Sequence, residues 1–184
     1  SNTSNTAGSI KIRLPQGFTN TMLRFTVQIY EYDSGGVVQY NIGGYTYSGS
    51  SGTWANNPYA NYSGNPSKSR NVYFGKDNSG YACVWIGAGA GYWQYPQVRV
   101  VDFAAGYSNN AESQWSSGWS ITFDTGGALN VTATVNQTLG GGNVTTLDLT
   151  GNKGIVDILT KGATNVTSVT QAGGSTNGQY TKID

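Results

Sequence analysis

The chain has 184 residues, with ten Lys and Arg, nine Asp and Glu, no His and a formal net charge of +1. Charges this sparse, without a basic cluster, give no electrostatic footprint for nucleic acid, and the lack of His removes the commonest general base and metal ligand at neutral pH. No apolar stretch approaches the roughly 18 residues that a membrane-spanning helix needs, so we expect neither nucleic-acid binding nor membrane insertion.

Alternating apolar and polar residues predict strands from the start of the chain. After a flexible lead-in over 1–8, the sequence SIKIRL (9–14) has the period-two pattern of a half-buried strand. Residues 22–32 repeat that pattern at greater length, which argues against a helix because positions spaced by two would scatter around its circumference. Residues 33–36 have turn chemistry, and 37–42 return as the partner strand of a hairpin.

The rest of the first 124 residues continues the β pattern after one interruption. Residues 43–71 are predicted to be a long irregular stretch with at most a short strand at 45–47. No segment has helical apolar periodicity over about 11 residues. We therefore predict an all-β head over 9–124, a β-sandwich or jelly roll. Its later strands are expected at 72–76, 81–87, 97–107 and 119–124.

Aromatic residues are almost confined to this head. Residues 1–124 hold all five Trp, all five Phe and twelve of the thirteen Tyr, whereas half of the sixty positions in 125–184 are Thr, Gly or Asn. A segment so poor in large apolar side chains cannot build a monomeric core of that kind. We expect 125–184 to form a β-rich stalk that intertwines with two identical chains. A disordered or partly ordered linker is the alternative.

Four sequence segments of the head, which follow one another along the chain, resemble a module of tailed-bacteriophage fibre and virion-appendage proteins. The resemblance implies a homotrimeric appendage on the virion surface, with a role in attachment or in docking other virion proteins, and it implies no defined ligand site. The four segments are IKIRLPQGFTNTMLRFTVQIYEY (10–32), NVYFGKDNSGYACVWIG (71–87), WQYPQVRVVDFAAGYS (93–108) and WSSGWSITF (115–123).

Aromatic residues in polar, Gly-rich segments favour carbohydrate as the ligand. Sugar rings stack their C–H faces on Trp and Tyr, while Asn and Gln side chains meet the hydroxyl groups. Aromatic residues in polar, Gly-rich segments are less easily buried in a core than aromatic residues on strands. The alternative is that they close the open ends of a sandwich or contact other subunits. The candidate ligand-binding residues are Trp54, Tyr59 and Tyr62, grouped with Tyr45 and Tyr47, and a second cluster of Trp93 and Tyr95 with Tyr92.

Enzymatic activity is not expected from the acidic residues. A glycosidase needs two carboxyl groups roughly 5–9.5 Å apart. Asp33 and Asp77 lie in turn sequences, and Glu31 and Asp102 occupy positions where a buried, paired acid is expected. Their possible partners are Arg24, Arg70 and Arg99. The chain has no serine-nucleophile motif and no metal-ligand set, so we expect no cofactor. The single cysteine, Cys83, lies in an apolar run typical of a buried structural thiol.

Together these features predict a non-enzymatic fibre or appendage protein at the virion surface. Its expected task is attachment to host-surface or environmental glycans through exposed Trp and Tyr, with avidity from three linked sites. Two alternatives remain at this stage. The head could decorate the virion or dock another virion protein without a glycan ligand, or it could be a monomeric carbohydrate-binding module tethered to an enzyme.

Overall fold

The computed structural model describes residues 3–32, 36–49, 51–65, 68–128 and 130–136, together with two short strands further along the chain. The chain forms two compact units, Ser1–Thr138 and Leu139–Asp184. The all-β prediction is confirmed, because the described residues form β-strands and contain no α-helix. A short 3-10 helix at Glu112–Gln114 interrupts the strands.

The described strands of the first unit form three antiparallel sheets. Four long strands make one sheet in the order β5-β4-β3-β9, five make a second in the order β10-β2-β7-β6-β11, and β1 pairs with β8. The strands are β1 (Thr6–Ala7), β2 (Ser9–Arg13), β3 (Thr21–Glu31), β4 (Gly36–Tyr47), β5 (Thr53–Gly64), β6 (Val72–Lys76), β7 (Ala82–Ile86), β8 (Tyr92–Trp93), β9 (Gln97–Tyr107), β10 (Ser120–Asp124) and β11 (Ala133–Val135).

Strand β3 is one of the two inner strands of the four-stranded sheet, and its burial has a period of two. Leu23, Phe25 and Ile29 are buried, whereas Met22 and Arg24, at alternate positions, face outward. The partner strand β4 pairs with β3 along its whole length, so the predicted hairpin pairing is confirmed. One face of this sheet therefore enters the core and the other is exposed.

The prediction that 43–71 is irregular is wrong for most of its length. Strand β4 continues through Tyr47, and β5 forms a twelve-residue edge strand beside it. The strand is hidden in the sequence because its outward side chains are polar and because its alternation is broken. Asn56 and Asn57 adopt left-handed backbone conformations, with φ of 56° and 53°, and the register shifts beside them.

Aromatic side chains bridge the buried faces of the two larger sheets, which share one hydrophobic core. The Trp54 ring of β5 packs edge-on against Phe74 of β6, with centroids 5.1 Å apart, and its Nε1 donates to the carbonyl oxygen of Gly75 at 3.0 Å. Trp119 packs edge-on against Phe25 of β3 at 5.7 Å. These contacts add aromatic pairing to the burial of large apolar surfaces.

The first compact unit extends past the predicted head at both ends. Strand β1, inside the predicted lead-in, pairs with β8, and β11, inside the predicted stalk, pairs with β6. In the second unit the described residues are the parallel pair β12 (Leu147–Asp148) and β13 (Val169–Thr170). The predicted intertwined stalk otherwise lies outside the described residues.

Candidate ligand-binding groove

Trp54 and Trp93, the two tryptophans predicted to contact a ligand, are buried, with exposed fractions of 3% and 1%. Trp93 Nε1 donates to the carbonyl oxygen of Gly8 at 2.7 Å, and the Arg70 guanidinium lies 5.4 Å from the centroid of its ring. The predicted exposure of both side chains is therefore wrong. Each indole fills space inside the unit and satisfies its N–H on a backbone carbonyl, as the core-closing alternative requires.

The three candidate tyrosines lie in different surroundings. Tyr62 is partly buried and packs against the core beside Tyr40, with ring centroids 6.5 Å apart. Tyr59 on β5 and Tyr95 after β8 are each nearly half exposed. Tyr95 packs edge-on against Tyr32 at 5.7 Å. The five candidates therefore do not form one site, and Tyr59 and Tyr95 are the two with open ring surface.

Tyr59 lines a groove of about 650 Å³ on the outer face of the four-stranded sheet, here called the Tyr59 groove. Its other aromatic walls are Tyr45 and Tyr107. The Tyr45 and Tyr107 rings pack edge-on with centroids 6.2 Å apart. Tyr107 has a left-handed backbone, with φ of 76°, and its side chain is 77% exposed. The groove thus presents three phenol rings with open faces or edges.

The floor between these rings consists of Met22 and Arg24 of β3 and of small residues on the strands beside them. Strand register places Met22 between Tyr45 and Gly106, and places Arg24 between Gly43 and Ala104. A Cβ atom at Gly43 would lie 2.6 Å from the Tyr59 ring, so this ring lies directly over the glycine. A Cβ atom at Gly106 would meet nothing within 4 Å, so the floor there is open.

Polar groups in the groove can supply hydrogen bonds beside the rings. The β5 bulge places Asn56 and Asn57 in its lining, and Arg24 lies on β3. Desolvation raises the pKa of the Tyr45 phenol, and repulsion from its tyrosine neighbours adds to this, so its hydroxyl remains a donor at neutral pH. The arrangement offers stacking surfaces, amides, hydroxyls and one guanidinium.

Of the four acidic side chains predicted to lie in turns or buried pairs, Asp33 lies outside the described residues, and the other three differ from one another. Asp77 has its predicted turn role, since its Oδ1 accepts from the backbone N–H groups of Ser79 and Tyr81. Glu31 is buried as predicted, but its ion-pair partner is Lys68, at 3.6 Å, and not one of the three arginines. Burial of Asp102 was predicted wrongly, because a left-handed bulge with φ of 54° leaves it exposed.

The described part of the chain holds no group of three or more Cys, Asp and Glu side chains placed to bind a metal ion. It also holds no helix with the length and apolar character needed to cross a membrane.

Cys83 is buried, as the sequence predicts, and burial raises the pKa of its thiol to about 12. The raised pKa leaves almost no thiolate at about pH 8, and thiolate is the reactive form. We expect Ellman's reagent to leave the folded protein unmodified and to react with one thiol per chain after unfolding in guanidinium. Rapid reaction of the folded protein would contradict this prediction.

No family model matches the chain, and no curated protein or solved structure shows a significant match to it. The fold and the site define the chain as an all-β protein with a groove on the exposed face of an antiparallel sheet. Aromatic and amide side chains line this groove.

Proposed function

We propose that the protein is a non-enzymatic attachment protein of a virion surface and that it binds glycans in the Tyr59 groove. The groove itself supports this proposal most strongly. Tyr45, Tyr59 and Tyr107 offer ring surface in one groove, and Asn56 and Asn57 offer amide donors and acceptors beside it. Sugars present flat C–H faces and hydroxyl groups, which match these two kinds of contact.

The virion part of the proposal rests on the resemblance of the head to phage fibre modules. In this proposal the two larger sheets form a β-sandwich head, and the chain beyond the first unit contributes to a homotrimeric stalk. A trimer would present three grooves, and linked sites gain avidity through their effective concentration without new contacts. Weak stacking in each groove would then be sufficient for attachment to a surface that carries many copies of the same glycan.

Removing a groove tyrosine tests this function. Tyr107→Ala and Tyr59→Ala should each weaken glycan binding by about 2- to 10-fold, since an aromatic stacking contact contributes roughly 0.5–1.5 kcal/mol. Binding is measured on immobilised bacterial and plant polysaccharides, followed by calorimetry with the polysaccharide that binds best. Tyr92→Ala is the matched control, because Tyr92 is 56% exposed but does not line this groove. If Tyr107→Ala and Tyr59→Ala bind as tightly as Tyr92→Ala and the wild-type protein, the proposal is contradicted.

Docking of another virion protein is the second candidate function. Met22 is 57% exposed in the floor of the groove, and exposed Met and Tyr side chains are enriched at protein interfaces. On this alternative, the wild-type protein binds no polysaccharide on the array, and Tyr107→Ala weakens incorporation into the particle.

A further inference from the structure

A second exposed aromatic site lies on the same outer face as the Tyr59 groove. It consists of two adjoining hollows of about 330 Å³ and 440 Å³, which share Tyr30 and Gln97. We call the two hollows together the Tyr30 groove. Tyr32 is 71% exposed in it, and its ring packs against Tyr95, the second exposed candidate of the sequence analysis. The outer face therefore carries a tyrosine-lined groove near each end.

Strand β3 joins the two grooves. Met22 lines the first and Tyr30 the second, and these residues are eight positions apart, or about 26 Å along a strand. Between them the surface is polar. Thr26 Oγ1 donates to Asn41 Oδ1 at 3.1 Å, and the Gln28 amide donates to the Gln39 side chain at 3.0 Å. A ligand that reached both grooves would therefore cross a surface rich in hydrogen-bonding groups.

Each groove also contains one arginine. Arg24 lines the Tyr59 groove and Arg99 lines the Tyr30 groove. Neither forms an ion pair with a described carboxylate. Arg99 Nε donates to Gln28 Oε1 at 2.6 Å, an amide partner that leaves its positive charge uncompensated. Asp102, the acidic residue of β9, is exposed at its bulge and pairs with neither arginine.

The positions of the two guanidinium groups match a repeating anion. Arg99 lies opposite Gln28 in the sheet, four residues along β3 from Arg24, so the two positions are about 13 Å apart along the strand. A guanidinium binds a carboxylate through two parallel hydrogen bonds, and such charge-assisted bonds are stronger than neutral ones. A neutral glycan would leave both charges without a partner, whereas an acidic one would satisfy them.

We propose that the ligand is an acidic polysaccharide, with carboxylate groups on its sugars, that lies along β3 and occupies both grooves. This inference rests on the proposed function and adds two requirements to it. The ligand must carry negative charge, and it must be long enough to reach from Arg24 to Arg99. Tyrosine rings in each groove then stack on sugars, while the polar strip between them contacts hydroxyl groups.

The test compares charge and length separately. The full chain is applied to immobilised uronate-containing polysaccharides, to the same polymers with their carboxyl groups reduced to alcohols, and to neutral polysaccharides. Variants Arg24→Gln and Arg99→Gln should each weaken binding of the acidic polymer by about 10-fold or more, since a hydrogen bond to a charged group contributes roughly 1.5–3 kcal/mol. Lys11→Gln, on the other sheet, removes the same charge and should have little effect.

Length is tested with fragments of the acidic polymer that binds best. Long fragments should bind clearly more tightly than disaccharides, and Arg99→Gln should reduce that difference, because one of the two grooves is then weakened. Binding of acidic fragments should also weaken as salt is added. Asp102→Asn removes a negative charge from β9 and should therefore strengthen binding of the acidic polymer.

The outcomes separate this inference from the proposed function. If acidic and carboxyl-reduced polymers bind equally and Tyr107→Ala abolishes that binding, the ligand is not recognised by its charge. The acidic-ligand inference is then wrong, and the proposal of glycan attachment stands. Equal affinity for disaccharides and long fragments would overturn the two-groove ligand. If no polysaccharide binds to the wild-type chain, the proposed function fails, and this inference fails with it.

Discussion

Replacing Trp54 with alanine should lower the free energy of unfolding by about 3–5 kcal/mol, the usual cost of deleting a large aromatic side chain from a core. Trp54 is 3% exposed, and its ring packs between Phe74 of β6 and Phe18, with centroid distances of 5.1 Å and 6.4 Å. The alanine variant would leave a cavity between the sheets and would lose the hydrogen bond that the indole N–H donates to the Gly75 carbonyl oxygen. Urea denaturation followed by circular dichroism measures the loss.

Two matched variants separate the contributions of the Trp54 side chain. Trp54→Phe keeps most of the ring contacts and removes the indole N–H, so it should be clearly less destabilising than the alanine variant. Tyr59→Ala removes an aromatic side chain from the same strand, but one that is nearly half exposed, and it should change the unfolding free energy much less. Equal stability of Trp54→Ala and the wild type would show that Trp54 does not join the sheets.

Comparing Trp54 with Tyr59 shows why the sequence located the aromatics but not their roles. Both lie in one polar segment rich in Asn, Gly and Tyr, and nothing in its composition distinguishes them. The difference comes from β5, whose register sends Trp54 to the core side opposite Thr46 and Tyr59 to the outer side opposite Gly43. The bulge at Asn56 and Asn57 interrupts the alternation that would have predicted these directions.

Strands with regular alternation were predictable because both faces had distinct environments. The core-facing positions of β3 from Leu23 to Ile29 are all apolar, and the pairing with β4 follows from the short connection between them. Strands β1 and β11 were not predictable as parts of the unit. They are two and three residues long, and their place is set by partners β8 and β6, which are distant in the sequence.

The Tyr59 groove depends on residues that have no signature of their own. Gly106 and Ala104 on β9 are ordinary small residues until the register places them beside Met22 and Arg24. Tyr107 ends an apolar strand and was not a candidate, since its direction follows from a left-handed backbone. A search for small residues that share one face of a predicted sheet with Tyr would have identified part of this groove.

Replacing Glu31 with alanine should also destabilise the protein strongly, by about 3 kcal/mol or more, because it breaks a buried ion pair and removes a backbone hydrogen-bond acceptor. The Glu31 side chain is 3% exposed and lies 3.6 Å from the ammonium group of Lys68, which is 11% exposed. Its Oε1 also accepts from the backbone N–H of Gln94 at 3.1 Å. Guanidinium denaturation measures the change in unfolding free energy.

Glu31→Gln is the matched variant that separates charge from shape. The glutamine side chain can still accept from the Gln94 N–H but carries no charge for Lys68, so we expect a smaller loss of stability than in Glu31→Ala. Hydrogen exchange at the Gln94 amide gives a local measurement. Exchange should accelerate in Glu31→Ala and remain slow in Glu31→Gln, since only the alanine variant removes the acceptor. Unchanged exchange in the alanine variant would show that Glu31 does not anchor Gln94.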